Sequence, residues 1–415
     1  MAKLVRREYR LPFILVTSLF FLWGFARAIM DVLNKHFQAE MDISISQSTL
    51  VQGAFFLGYF LFAIPAGLLI GRRGYRYGMV FGLLLFGAGA LAFGLLSMGF
   101  DGSGSLQMFY VFLVALFVMA CGLVFLETAA NPYMARLGDA ATSASRLNLA
   151  QSINGLGNIC GPWIGGAILF SGAAGANISG PYIFLAVMVS VFALAFTRVR
   201  LPEIVDDDEL SAEVQGGETG GSLLHNGMFV FGFIALLFYE IAEIAINSLF
   251  INYAERVSLI DNMTASRLLS FGFFLFMCAR FVGGWVMSRI AAQKVLLFCA
   301  AGTVVANVLV LMELGTLSMV ALILNYALEA IMFPTIFSLA LRGLGSQTKR
   351  ASAYLMMSTI GGAIGTMLMG MLADRVTLSF SFIVPVVGYA VVLLYSWRVN
   401  TVISGHTPKR NGSPT

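Results

Sequence analysis

Apolar runs of about 20 residues or more, the length of a membrane-crossing helix, recur along the whole chain. They fall near 12–36, 46–71, 77–98, 106–136, 145–171, 180–200, 227–254, 266–289, 293–312, 316–343, 351–373 and 378–398. The runs predict twelve transmembrane helices joined by short connections. Composition agrees, because 59% of the 415 residues are hydrophobic and 11% charged, too few polar side chains to coat a soluble surface. That balance excludes a soluble enzyme and a nucleic-acid binder, and the alternating strand signals of an outer-membrane barrel are missing. The first run follows Lys3, Arg6, Arg7 and Arg10. It is longer than the apolar region of a signal peptide and lacks a small-residue cleavage site, so it is read as a retained first helix. Cys121, Cys160, Cys278 and Cys299 lie inside apolar runs and are expected to be small buried residues. His36, His225 and His406 stand at span ends or in the tail. Their spacing fits no metal site, and no cofactor or catalytic residue is expected.

Orientation follows from the basic residues. Of 25 Lys and Arg, the termini and even-numbered loops hold 19, the odd-numbered loops hold 4 (Lys35, Arg256, Arg267 and Arg375), and Arg27 and Arg280 lie within spans. Positive charge stays on the cytoplasmic side, which predicts that both termini are cytoplasmic. The one long polar stretch runs from Leu201 to Ser222, with Asp206, Asp207, Asp208 and Glu209 followed by Gly216, Gly217, Gly220 and Gly221, the composition of a flexible spacer. The expected organisation is an N-terminal six-helix bundle over 1–200, a cytoplasmic linker over 201–224, a C-terminal six-helix bundle over 225–400 and a disordered tail over 401–415.

The two halves echo each other. The stretch from Gly67 to Arg72 matches the stretch from Gly284 to Arg289, Glu127 with Pro132 matches Glu329 with Pro334, and Arg146, Gly161 and Gly166 match Arg350, Gly365 and Gly370. Two parallel six-helix repeats are the pattern of a rocking transporter whose substrate sits at mid-membrane between the halves.

Seven ionisable residues fall inside the spans: Arg27, Asp31, Glu127, Glu240, Glu243, Arg280 and Glu329. Each costs ~2.5–3.5 kcal/mol on an insertion scale, so they must be paired, protonated or wet, and a cavity lining is the default reading. Arg27 with Asp31, and Glu240, Glu243 and Asn247, each share one helical face. Helices one and seven are equivalent in the repeat, which pairs Arg27 with Glu243 and Asp31 with Asn247 by position. An Arg27–Glu243 contact made in one access state and broken in another is therefore expected. On helix five Asn148, Gln151, Asn154, Gly155 and Asn158 form a polar stripe. Amides both donate and accept hydrogen bonds, as hydroxyl-rich ligands require, and Trp23, Tyr59 and Tyr239 could offer aromatic faces. Glu127 with Asn131 repeats the design on helix four. Contacts between helices without a ligand remain open for all of these residues.

The stretches Phe20-Phe-Leu-Trp-Gly24 leading to Asp31, Phe125-Leu-Glu-Thr-Ala-Ala-Asn-Pro-Tyr133, Leu147-Asn-Leu-Ala-Gln-Ser152 and Met332-Phe-Pro-Thr-Ile-Phe337 together resemble the fucose permease family, the fucose:proton symporter branch of the major facilitator superfamily. That resemblance implies an all-α fold of twelve helices in a bacterial inner membrane, with cation-driven uptake of a monosaccharide such as fucose, glucose, galactose or mannose. It further implies that Asp31 and Glu127 are the embedded carboxylates of proton coupling and sugar recognition, and that Gln151 and Asn154 line the cavity. Three features depart from the family. Arg27 stands where neutral residues are expected, Glu240 and Glu243 occupy a neutral region of helix seven, and Gly71 replaces the acid of the general facilitator loop before Arg72.

The resulting expectations are as follows. Arg27, Asp31, Glu127, Asn131, Gln151, Asn154 and Asn158 bind substrate, while Glu127, Asp31, Glu240, Glu243 and Asn247 serve ion coupling to a proton or to sodium. Arg27, Glu243, Arg72 and Arg289 gate. The partners are a small sugar and the bilayer, with a monomer expected. Two alternatives stand beside this: an acidic sugar read by Arg27, and a drug or cation exporter using the 21 Met and 36 Phe.

Overall fold

The computed structural model describes residues 9–98, 106–137, 143–170, 179–199, 223–287, 289–342, 344, 351 and 354–405. It is helical almost throughout, with no strand among the described residues. The first half comprises α1 (Arg10–Met41), α2 (Ile45–Ser48), α3 (Leu50–Arg73), α4 (Tyr75–Met98), α5 (Leu106–Arg136), α6 (Ser143–Leu169) and α7 (Ser179–Arg198). In the second half are α8 (Gly227–Ser258), α9 (Asn262–Met287), α10 (Ala292–Leu311), α11 (Thr316–Glu329), α12 (Met332–Ala340), α13 (Gly361–Arg375), α14 (Leu378–Ser381) and α15 (Ile383–Gly405).

Among the described residues, ten helical segments are long and apolar enough on their own to cross a membrane. The two remaining expected spans correspond to α6, diluted by its amides and glycines, and α7, whose apolar stretch Tyr182–Arg198 is shorter. Pro65, Pro132 and Pro162 are absorbed inside continuous helices. The run over 316–343 behaves differently and splits after Glu329, since Pro334 has no N–H for the carbonyl of Ala330. That carbonyl instead accepts a 3.2 Å hydrogen bond from Arg280 Nε. At the C-terminal end α15 continues to Gly405, past the expected boundary at 400. Most of the expected linker, together with Arg350, His406 and residues 406–415, lies outside the described residues. Cys121 is buried, whereas Cys160, Cys278 and Cys299 are only half-buried, less than the sequence suggested.

The repeat is visible in backbone contacts. A Cβ on Gly157 would come within 2.3 Å of the Phe21 carbonyl oxygen, and one on Gly361 within 2.5 Å of the Leu237 carbonyl oxygen. Gly161 packs on Ala28 and Ile29 of α1, and Gly365 packs on Ile241 of α8. The matched pair Gly166 and Gly370 then reach across to the other half, against Ser266 of α9 and Thr49 beside α3. Small residues that let two backbones touch are the usual interface of membrane helices, where lipid removes the hydrophobic drive to associate. These seams run from mid-helix toward the end that carries the α1–α2, α8–α9 and α13–α14 connections. Toward the opposite end Gly67, Gly71 and Gly284 have nothing within 4 Å of a would-be Cβ.

Candidate functional site

Hydrogen bonds between the halves gather at the closed end. Asn34 on α1 donates to the Ser248 hydroxyl (2.7 Å) and carbonyl (3.2 Å) on α8. One turn on, Gln38 and Asn252 exchange amide hydrogen bonds of 2.5 and 3.4 Å. Lys35 pairs with Glu255. The Asp374 carboxylate at the end of α13 accepts from the backbone N–H groups of Ile45 (3.1 Å) and Ser46 (2.7 Å), the free donors at the start of α2. The result is a seal of neutral amides flanked by two charged contacts. Sequence reasoning stopped one turn short of it, although Asn34 and Gln38 continue the Arg27–Asp31 face; their partners Ser248 and Asn252 share a face of α8 with each other.

Asp31 is wired into this seal. It is 7% exposed, and its carboxylate accepts from Gln52 Nε2 at 3.3 Å. Gln52 in turn accepts from Asn34 at 3.4 Å. Arg27, one turn below, is not ion-paired within 4.0 Å to any described residue. Its guanidinium lies 5.8 Å from the Phe56 ring centroid, within electrostatic reach of Glu243, Glu240 and Glu127. Arg27 and Asp31 do not ion-pair despite sharing a face, and the expected Arg27–Glu243 contact is not made in this conformation. Glu243 is half-buried and Glu240 is buried. Asn247 is 5% exposed, with its Oδ1 unpartnered.

The amides and Glu127 form a second constellation on the splayed side of Asp31. Glu127, half-buried on α5, faces the Tyr59 hydroxyl of α3. Asn131 donates to the Glu127 carbonyl (3.2 Å) and accepts from Gln151 of α6 (3.3 Å). Asn154 donates to the Phe20 carbonyl of α1 (2.9 Å), and its oxygen accepts from Asn158 (3.3 Å). Part of the stripe therefore ties α6 to α1, and the same Asn154 backbone would block any Cβ on Gly24, at 2.3 Å. Glu127, Asn131 and Gln151 remain half-buried at the junction of α3, α5 and α6. Of the three aromatics, Tyr239 is fully buried, Trp23 is 6% exposed and packs at a tilt against Phe20 with ring centroids 4.5 Å apart, and Tyr59 is half-buried beside Glu127. Tyr59 alone keeps an accessible face. Arg72 and Arg289 are exposed at the splayed end, Arg289 lying 4.2 Å from the Trp285 ring centroid.

A family model described as Major Facilitator Superfamily matches residues 13–366. The chain belongs to that superfamily. Within it, the chain is 32% identical over 399 residues to a glucose/galactose transporter of Brucella abortus, covering 94% of each chain. It is equally 32% identical over 421 residues to the L-fucose-proton symporter of Escherichia coli, covering 94% of this chain and 93% of that one. The crystal structure of the facilitator-superfamily transporter FucP in the outward conformation aligns with a TM-score of 0.67 at 30% identity, over 95% of this chain and 99% of that one. The chain is a secondary transporter of this superfamily rather than an enzyme.

Proposed function

We propose that the protein imports a neutral monosaccharide of the glucose, galactose, mannose or fucose class together with a proton, by alternating access in a bacterial inner membrane. The observation that carries this reading is the Glu127–Asn131–Gln151 constellation beside Tyr59. It combines one ionisable group with amide donors and acceptors and an aromatic face, the set a ring of hydroxyls and C–H surface demands. The names of the relatives point the same way. Twelve spans are proposed, in two six-helix bundles over 1–200 and 225–400 that work as monomer halves, with 201–224 as the cytoplasmic linker. With the basic end cytoplasmic, the seal at Asn34 and Gln38 lies outside and the splayed end opens inward. Asp31, bonded through Gln52 to that seal, is positioned to tie its own charge state to closure.

The test is uptake of labelled sugars into proteoliposomes with proton and sodium gradients imposed separately. Accumulation of a neutral hexose or 6-deoxyhexose under the proton gradient, lost in Glu127→Gln, is the expected result. Accumulation driven by sodium alone would move coupling to Glu240, Glu243 and Asn247. One further reading has its own support: Arg27, without a close anionic partner among the described residues, suits the carboxylate of an acidic sugar. In that case Arg27→Ala abolishes acid uptake and spares neutral analogues.

A further inference from the structure

Glu329 stands at the position in the second half that Glu127 holds in the first, each five residues before a proline. Its surroundings differ from those of Glu127. Glu329 is 0% exposed. Its Oε2 accepts from Asn325 Nδ2 at 2.7 Å and from the Tyr389 hydroxyl, while Oε1 has no partner. Asn325 also accepts from Asn307 (2.8 Å), which extends the network to α10. Two more fully buried hydroxyls nearby, Tyr239 and Tyr326, are unpartnered.

An ionised carboxylate with a free oxygen in such a place has no cation to balance it. From α8 it faces Glu243, with Tyr239 and Glu240 beside it; from α11, Tyr326; from α15, Tyr389. Asp31 of α1 reaches only as far as Tyr326. Arg280 of α9 is committed to the Ala330 carbonyl and stacks over Phe276 at 4.6 Å. Among the described residues, the charged neighbour that Glu329 feels is therefore another acid, Glu243. A lone buried charge of that kind is neutralised rather than tolerated. The groups that touch it, an amide N–H and a phenol O–H, both donate to Oε2 and leave Oε1 to carry a proton, whereas a metal cation requires converging oxygens.

We propose that Glu329 is a second proton-binding site, held in the C-terminal half and exchanging its proton with the central cavity through Tyr239 and Glu243. Tyr239 lies within electrostatic reach of both Glu243 and Glu329, and its unpartnered hydroxyl, with that of Tyr326, leaves polar atoms that a water could bridge. The proton comes from a hydronium ion of the central cavity, which is left as water, and arrives on Glu329 Oε1, so charge is conserved along the relay. The proposal deepens the proton-coupled reading given above and rests on it for its role in transport.

Infrared titration of the protein in proteoliposomes tests the site without any substrate. A carboxyl band that is lost as pH rises in wild type and is missing from Glu329→Gln is expected. A titration identical in the two overturns the site, whatever sugar is carried. Glu329→Gln preserves acceptance from Asn325 and Tyr389, so it should assemble; should it not, Tyr239→Phe, which removes a hydroxyl without a partner, must slow proton exchange at that band, and an unchanged exchange rate overturns the relay. In transport, losing one coupled proton lowers accumulation about tenfold per imposed pH unit, with sugar exchange at equal pH retained. Coupling that stays intact in Glu329→Gln overturns the transport role while leaving Glu127-dependent uptake standing.

Discussion

The helices carrying Glu127 and Glu329 begin from the same short pattern and end as different objects. In the first half α5 passes through Pro132 without a break, and its carboxylate stands half-buried between Tyr59 and the reach of Arg27. In the second half the chain breaks between α11 and α12, Arg280 takes the carbonyl left by Pro334, and the carboxylate is sealed behind Tyr389 and Asn325. The difference teaches that a repeated acid–proline pair is a scaffold, and that its job is set by what the neighbouring helices bring. A cation and an open side suit the proposed reader of the cavity; phenols and amides suit the proposed proton store.

The comparison breaks most visibly at Glu127. Glu127→Gln removes a charge-assisted contact of ~1.5–3 kcal/mol, so proton-driven accumulation should fall to background and sugar affinity should drop about 10–100-fold. Retention of accumulation in that variant would make the two acids equivalent after all. Next comes the helix break. Arg280→Ala leaves the Ala330 carbonyl unpaired at a cost of ~1–3 kcal/mol, and adding Pro334→Ala, which supplies the missing N–H, should recover most of the lost thermal stability. Pro132→Ala, in a helix already continuous, should change the melting temperature far less than Pro334→Ala does.

Smaller effects test the two environments. Arg27→Ala should leave neutral-sugar uptake within about tenfold of wild type, a loss of ~1.4 kcal/mol, since no direct ion pair is lost. A larger loss would show that Arg27 and Glu243 meet in another conformation, and cysteines at 27 and 243 would crosslink there. Smallest of all, Tyr59→Phe should weaken sugar binding by ~0.5–1.5 kcal/mol, the worth of one ordinary hydrogen bond, measured by equilibrium binding.

Much of this architecture was legible beforehand. Apolar runs located the helices, and the matched glycines announced the repeat: Gly161, Gly166, Gly365 and Gly370 make the same contacts in both halves. The fates of Glu127 and Glu329 were not legible, because exposure depends on helices far away in sequence. Asn34, Gln38, Ser248 and Asn252 went unnoticed for a related reason. Neutral amides and a hydroxyl carry no charge penalty that would mark them, and their meaning emerges only when α1 and α8 cross. The splitting of the run over 316–343 was hidden too, since Pro132 and Pro334 look alike until Arg280 is placed beside one of them.

The seams between the halves are lined by glycine facing methionine, phenylalanine or a small hydroxyl residue: Gly155 against Met277, Gly53 against Met367, Gly362 against Phe56, Gly370 against Thr49. A joint of that kind works as a plain bearing. One surface has no side chain to reorient, and the other includes thioethers that deform cheaply, so the halves can roll over each other with little rotamer entropy at stake. In the alternating access proposed above, the resistance to motion is then concentrated in the amide seal at one rim.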